Sequence, residues 1–342
     1  MYKAIFRVDG SNEIGIGHIA SEINIARKLK GFDLLFISKY DEGIKKIKEF
    51  GYNVEKIPKN LSTTDEITLI SKINDKFKSD VIIVDLLRDD YENYCKKISG
   101  LGKVLVVDYF GGIEINSDVL LNWSIFKEDF LYKKKNPNTI FCLGPKYLLC
   151  REEIGKYHDL DKKIKENVKN VLITIGGSDR HNLTPRIIDT LKNFKQIEFN
   201  VVVGGAAKNK DEVEYELKKN KLNYNMIDNC NDLSELMYKA DLAISAGGIT
   251  CLELAAIGTP SLCFSTSVWE TKRLKKLEDL GISVYAGNKD NFINKKLCGD
   301  FKNLIQNQNL RKKMSKNGKN LIDGRGINRI IKVIKKLVEN GN

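Results

Sequence analysis

The sequence predicts an α/β protein made of two doubly wound parallel sheets, and three observations lead there. Short β-branched or apolar runs alternate along the chain with helix-compatible segments, the pattern of parallel strands joined by crossover helices. Several runs, such as Val81-Ile82-Ile83-Val84, are apolar without interruption, as strands covered on both faces require. At 342 residues the chain exceeds what one core fills, which argues for two domains of about 150–180 residues with a cleft between them.

The first strand series occupies residues 4–8, 33–38, 80–85, 103–108 and 139–143. The second occupies 170–175, 197–203, 224–227, 242–245 and 261–264. Residues 22–30, 40–50, 64–78, 184–194, 210–219, 234–239 and 250–257 suit the intervening helices. Leu143-Gly144-Pro145-Lys146-Tyr147 is rich in turn formers and precedes the highly charged stretch 151–168. The boundary is therefore placed there: a domain over 1–150, a linker over 151–168 and a domain over 169–342. In 328–340, apolar Ile330, Ile331, Val333, Ile334, Leu337 and Val338 recur at helical spacing. This last helix is expected to dock on the core, or to cross back to the first domain.

Composition narrows the function classes. Lys and Arg number 57 against 45 Asp and Glu, a net charge of +12, which suits a polyanion or a phosphorylated small molecule. Lysine is spread through every segment, however, as on a solvated basic surface. The densest runs, Lys133-Lys134-Lys135 and Lys162-Lys163 with Lys165, lack the interleaved aromatic platforms of single-strand binders, which argues against nucleic acid. The seven cysteines are never spaced C-x-x-C and several sit in apolar runs, as expected of reduced, buried thiols in a cytoplasmic protein. No stretch approaches 18 uncharged apolar residues, and Met1-Tyr2-Lys3-Ala4-Ile5 runs straight into the first strand, so a soluble chain without a membrane span is expected.

Three glycine loops carry the chemistry, each between a strand and a helix. In the first, Asp9-Gly10-Ser11-Asn12-Glu13-Ile14-Gly15-Ile16-Gly17-His18, the glycines permit close approach of a ligand. His18 falls in the first helical turn, where the dipole disfavours imidazolium and would keep the ring a base near neutral pH; the alternative is a capping or packing histidine. Gly15, Gly17 and Ala20 also form a weak G-x-G-x-x-A, but the first glycine lies six residues beyond Asp9 and Asp41 is only an approximate ribose ligand, so a dinucleotide cofactor is not expected. The second loop is Gly176-Gly177-Ser178-Asp179 with Asn182-Leu183-Thr184-Pro185, where Thr184 suits a cap and Pro185 the first helical position; a plain strand-to-helix turn is the alternative. The third is Ser245-Ala246-Gly247-Gly248-Ile249-Thr250-Cys251-Leu252-Glu253. Its helix N-terminus and Thr250 could cradle a diphosphate without metal, and Glu253, a turn further on, could accept both hydroxyls of a ribose or serve as a capping carboxylate. Phosphate P-loop, zincin and nucleophile-elbow motifs are absent, as is metal-spaced Asp clustering. His158 and His181 read as surface residues, and Trp269 as the better of the two tryptophans for lining a cleft.

Taken in order, Arg7-x-Asp9-x-Ser11-x-x-Ile14-Gly15-x-Gly17-His18, Leu143-Gly144-Pro145-x-Tyr147-x-Leu149-x-Arg151, Ile175-Gly176-Gly177-Ser178-Asp179-x-x-Asn182-Leu183-Thr184 and Ser245-Ala246-Gly247-Gly248-x-Thr250-x-x-Glu253 resemble the PseG/SpsG family. Its characterised type is a UDP-sugar hydrolase of pseudaminic acid biosynthesis, and it is related to MurG-type glycosyltransferases of the GT-B fold. The resemblance implies a cytoplasmic, metal-independent, cofactor-free enzyme with a UDP-sugar in the interdomain cleft. The C-terminal loops (Gly176, Gly177, Ser178, Asp179, Ser245, Gly247, Gly248, Thr250, Glu253) would hold the nucleotide. Gly15, Gly17 and Tyr147 would contact substrate, and His18 would be the general base, with Asp9 orienting it or the water. The hydrolase of the family cleaves UDP from an acetamido-trideoxy sugar with inversion. A glycosyltransferase and a catalytically silent nucleotide-sugar-binding protein are the alternatives. Four positions depart from the family pattern: Ser21 replaces an Arg, Leu86-Leu87 follow Asp85 where a polar or aromatic residue is common, Tyr109 replaces the second of two Asp, and Glu270-Thr271 stand where an Asn-Gln pair is expected.

Overall fold

Apolar strands alternating with helices fold into two compact units, residues Met1–Cys150 with Arg325–Asn342, and Arg151–Gly324. The structure, a computed structural model, describes residues 1–339 except 12, 110, 112, 113, 127–130, 135, 229, 231 and 293. Of the residues quoted above, Asn12, Lys135 and Asn340 lie outside the described ones.

The first unit runs β1 (Tyr2–Val8), α1 (Gly17–Lys28), β2 (Phe32–Ser38), α2 (Asp41–Glu49), β3 (Asn53–Lys56), α3 (Thr63–Phe77), β4 (Val81–Asp85), α4 (Tyr91–Ile98), β5 (Val104–Val107), β6 (Glu114–Ile115), β7 (Val119–Asn122), β8 (Lys133–Lys134) and β9 (Ile140–Leu143). Its main sheet is parallel throughout, in the order β3-β2-β1-β4-β5-β7-β9, and β6 pairs with β8 in a separate ladder. Every residue of β4 and β5 is buried, which accounts for their uninterrupted apolar sequences. Val8 lies in register with Asp85, so the carboxyl ends of β1 and β4 are neighbours. Strand order reverses between them, at the point where open α/β sheets bind ligands.

The second unit runs α5 (Glu153–Asp159), β10 (Asn170–Thr174), α6 (Leu183–Thr190), β11 (Glu198–Val203), α7 (Lys210–Lys219), β12 (Asn223–Asp228), α8 (Leu233–Lys239), β13 (Leu242–Ala246), α9 (Ile249–Ile257), β14 (Ser261–Ser265), α10 (Val268–Asp279), β15 (Ser283–Asn288), α11 (Asn294–Gln306) and α12 (Gln308–Leu321). Its parallel sheet has the order β12-β11-β10-β13-β14-β15. Thr174 lies in register with Ser245, which puts the second and third glycine loops side by side at this sheet's own reversal point. A core centred on Ile173, Phe199, Ile244, Phe264 and Phe301 fills the space between sheet and helices.

The strands β3, β7 and β15 were not legible as strands. Asn53-Val54-Glu55-Lys56 is a mostly exposed edge with little apolar signal, whereas Val119-Leu120-Leu121-Asn122 is buried and too short for periodicity to separate it from a helix segment. The stretch 151–168 packs as part of the second unit: α5 lies on α9, His158 Nδ1 is 2.8 Å from the Ala256 carbonyl, and Lys162 donates to the carbonyls of Tyr238 and Ala240. His158 is thus half-buried rather than a surface residue, and burial lowers the Lys162 ammonium to about 8. The last helix, α13 (Gly326–Glu339), packs with the first unit, where Arg329 donates to the Lys146 carbonyl and Lys103 to that of Leu337. Gly326 leaves no room for a side chain there, since a Cβ would meet the backbone of Tyr147 and Leu148.

All seven cysteines are free thiols, five of them buried. Among the described residues no helix is long and apolar enough to cross a membrane.

Candidate active site

The loop after β1 is held by its own backbone. Ser11 and Gly15 exchange N–H···O bonds of 3.2 and 2.8 Å, and the Ser11 hydroxyl accepts from the N–H groups of Glu13 and Ile14. Gly15 sits at φ +89°, a conformation that glycine adopts without strain. The helix α1 then begins with Gly17 and His18, and its N-cap Ile16 makes no side-chain cap bond and its first turn holds no acidic residue.

His18 is joined to Asp85 at the end of β4: Nδ1 lies 2.7 Å from Oδ1. A carboxylate can only accept, so Nδ1 carries the proton and Nε2 is the basic nitrogen. The Tyr109 hydroxyl donates to the other Asp85 oxygen at 3.2 Å, and the tyrosine ring meets the imidazole edge-on with centroids 4.9 Å apart. Trp123, buried, packs edge-on against Tyr109 in turn. Burial, reinforced by Asp85 and Glu22, holds the Tyr109 phenol well above its ordinary value, so it remains a neutral donor.

The expectation that the helix dipole depresses the His18 pKa is corrected. Burial does lower it, but the charge and hydrogen bond of Asp85, with a smaller contribution from Asp9, turn the net shift upward. A dipole near a helix end is worth about 0.3–1 kcal/mol, less than a buried charge-assisted bond of about 1.5–3 kcal/mol.

Asp9 has other partners. Its Oδ2 accepts from Arg7 Nη2 at 2.8 Å, and its Oδ1 from the Lys39 N–H at 2.8 Å and the Ser38 hydroxyl at 3.4 Å. Arg7 is fully buried and also reaches Glu66 Oε1 at 2.8 Å, while Lys39 pairs with Glu66 Oε2 at 2.6 Å. Asp9 therefore fixes the loop to β2 and lends His18 only its field, while Asp85 makes the hydrogen bond. Tyr147, half-buried in the 3-10 turn Pro145–Tyr147, has its phenol raised by burial and by neighbouring Cys142.

In the second unit, Asp179 caps α6. Its Oδ1 accepts from the Leu183 N–H at 2.9 Å, and its Oδ2 from the Thr184 N–H at 3.0 Å and from Asn209 at 2.8 Å. Helix α6 starts at Leu183, so Thr184 is inside it and is not the cap that the Thr-Pro pair suggested. Asp179 and Asn182 both have positive φ, consistent with a tight Asx-type approach to the helix. Gly177 accepts from the Ala206 N–H, and a Cβ at Gly204 would overlap the Gly177 backbone, so the loops after β10 and β11 meet backbone to backbone at these two glycines. Ser178, beside them, is half-buried.

The third loop ends at Gly248, which precedes α9 without any side-chain cap and with no acid in the first turn. Gly247 donates to the Phe264 carbonyl and accepts from Arg273, and Ser245 is fully buried beneath it. Thr250 lies in that first turn, half-buried. Glu253 is almost fully buried, and its two oxygens accept from the Arg151 N–H at 3.1 Å and from the Arg151 guanidinium. Glu270, at one of the departures, accepts from the Thr266 N–H and hydroxyl, while its own N–H donates to the hydroxyl of Ser267, the cap of α10.

Sequence reasoning found His18 but missed Asp85, Tyr109 and Glu22, which tertiary contact gathers around it. Asp85 carried a signal, a lone acid closing an apolar strand. The departures are similarly placed: Ser21 is buried on α1, and Tyr109 is bound to Asp85.

Two parallel, doubly wound sheets with glycine loops at both reversal points define a GT-B protein. Chains of known structure agree on the fold: MurG of Acinetobacter baumannii superposes with TM-score 0.70 at 15% identity over 98% of this chain and 99% of that one. A UDP-GlcNAc 2-epimerase of Neisseria meningitidis superposes with TM-score 0.59 at 15% identity, over 98% and 100%. Residues 170–321 match the glycosyltransferase family 28 C-terminal domain. The chain is 30% identical over 202 residues to the UDP-2,4-diacetamido-2,4,6-trideoxy-beta-L-altropyranose hydrolase of Campylobacter jejuni, covering 57% of this chain and 68% of that protein. It is 27% identical to the spore coat polysaccharide biosynthesis protein SpsG of Bacillus subtilis over 99% of both chains. An uncharacterized protein of Methanocaldococcus jannaschii, MJ1062, is 32% identical over 75% of this chain, which spans 54% of that longer relative. The chain belongs to the PseG/SpsG family.

Proposed function

We propose that the protein is a UDP-sugar hydrolase that releases UDP from an acetamido-deoxy sugar by attack of water at the anomeric carbon with inversion. Its place would be in nonulosonic, pseudaminic-type acid or surface-glycan biosynthesis. The observation that carries the reading is His18, bonded through Nδ1 to buried Asp85 at the carboxyl edge of the first sheet. That arrangement suits general-base catalysis, because Asp85 fixes the tautomer and stabilises the imidazolium formed when Nε2 takes a proton. The named activity of the Campylobacter relative supports the substrate class, and the name of the Bacillus relative supports a place in surface-polysaccharide biosynthesis.

In this mechanism a water proton passes to His18 Nε2 while the water oxygen bonds to the anomeric carbon. The bond from that carbon to the diphosphate oxygen breaks, and its electron pair leaves with UDP. The uncapped N–H groups of the α9 first turn and the Thr250 hydroxyl receive the diphosphate charge. The loops at Gly176-Gly177-Ser178 and Gly247-Gly248 hold the nucleotide, and Gly15 and Gly17 admit the sugar. Since UDP is already a good leaving group, one positioned base is enough.

The test is UDP release from a panel of UDP-acetamido sugars, with and without acceptor alcohols. Release in water alone that vanishes in His18→Ala supports the hydrolase. Turnover only with an acceptor would make it a transferase, and UDP binding with no turnover a silent binding protein.

A further inference from the structure

Helix α1 turns a second titratable group toward the His18 cluster. Glu22 lies four residues after His18, on the same helical face, and is fully buried. Neither of its carboxyl oxygens accepts a hydrogen bond in the structure. Of the charges around it, that of Asp85 acts on it, and Tyr109 feels the charge of Glu22 in turn. Asp85 in turn faces His18, Tyr109 and, through space, Tyr91, with Asp9 acting on His18 from the loop after β1.

Two buried carboxyl groups in one cluster cannot both be ionised without strong repulsion. A buried ionised carboxylate that accepts nothing is also costly. Asp85 already serves two donors, Nδ1–H of His18 and the Tyr109 hydroxyl, which fixes it as the ionised partner. The shared proton therefore belongs on Glu22, where it converts an unsatisfied acceptor into a donor. Burial first, and Asp85 second, push the Glu22 carboxyl in the same direction.

We propose that Glu22 is a positioning residue for His18: a neutral carboxylic acid that donates to Asp85 and holds that carboxylate, with one negative charge, against Nδ1 of the imidazole. This rests on the reading of His18 as the base. The helix thereby supplies both the base and, one turn later, the group that orients the base's partner. Glu22 does not touch substrate in this role. A second charge in the cluster would hold His18 protonated and unable to accept a proton from water, so the neutral state of Glu22 is what keeps Nε2 usable.

The test compares Glu22→Gln and Glu22→Ala with the full wild-type chain, reading His18 directly by NMR titration of its imidazole nitrogens without substrate. Gln is neutral, nearly isosteric and a donor, so it imitates the protonated acid. The proton affinity of His18 is expected to stay within about twofold of wild type in Glu22→Gln, and a protonated-carboxyl stretch in the infrared spectrum at neutral pH is expected to disappear. A drop of about tenfold or more in that affinity, the signature of removing a nearby charge, or the lack of that infrared band in wild type, would overturn the proposal. In turnover, Glu22→Ala is expected to lower kcat with KM unchanged and Glu22→Gln to restore it; equal loss in both variants would also overturn it. If no substrate turns over at all, the hydrolase reading fails while the NMR and infrared results still decide the protonation of Glu22. If Glu22→Ala does not fold, Glu22→Gln decides alone.

Discussion

Replacing Asp85 with Asn tests the site most directly. The carboxylate sits 2.7 Å from His18 Nδ1, is fully buried, and faces an imidazole whose side chain is only 17% exposed, so little solvent screens the pair. A hydrogen bond to a charged group is worth about 1.5–3 kcal/mol. At about 1.4 kcal/mol per pH unit, its loss should lower the His18 pKa by about one to two units. Burial, which already opposes the charged ring, then acts without opposition. The acid limb of the UDP-release profile, which in wild type reports His18 losing its proton above its ordinary value, should move toward lower pH. The plateau rate should fall by about 10²–10⁴, because Asn also offers Nδ2–H to Nδ1 and favours the wrong tautomer. Stability gives an independent reading. A histidine whose folded pKa is raised stabilises the fold fully below its unfolded value, near 6.5, and loses that contribution as pH rises through the folded value. Asp85→Asn should therefore cost more stability at pH 5–6 than at pH 9, measured by denaturant unfolding at each pH. An unchanged His18 titration together with an unchanged pH profile would refute the coupling of Asp85 to the base.

Two further outcomes follow from the second unit. Gly204→Ala should cost about 1–3 kcal/mol of stability, as forced overpacking does, because the new methyl group meets the Gly177 backbone; calorimetric unfolding and UDP titration should both register it, and an unaltered melting temperature would contradict the close approach of the two loops. Glu253→Ala should weaken UDP binding if the carboxylate takes the ribose hydroxyls, and should cost about 1–3 kcal/mol of stability because the Arg151 N–H loses its acceptor. Equal UDP affinity by isothermal titration would remove Glu253 from the ligand site and leave it as a tie to Arg151.

Much of this protein was legible locally. A run such as Val81-Ile82-Ile83-Val84, β-branched throughout, reads as a strand buried on both faces, and the spacing from Gly15 to His18 puts a titratable ring in the first turn of a helix after a strand. The loops at Gly176-Gly177 and Gly247-Gly248 announce the same design a second time. These features depend on neighbours in sequence, because backbone conformation and hydrophobic period are set over a few residues.

What the tertiary structure decided is the partnership of each charged group. His18 and Asp85 are 67 residues apart and meet because β4 is inserted beside β1. Asp9, nearer to His18 in sequence, is drawn instead to Arg7 and the start of the loop after β2. Glu253 is drawn to Arg151, 102 residues away. Glu22 would pass for a solvated helix acid in the sequence, yet the fold buries it fully, one turn after His18. The sequence determined which residues could do acid–base and anion-binding chemistry and on which loops they stand. Which carboxylate faces the histidine was settled only by strand order and by the free energy of burying charge, both of which depend on residues distant in the chain.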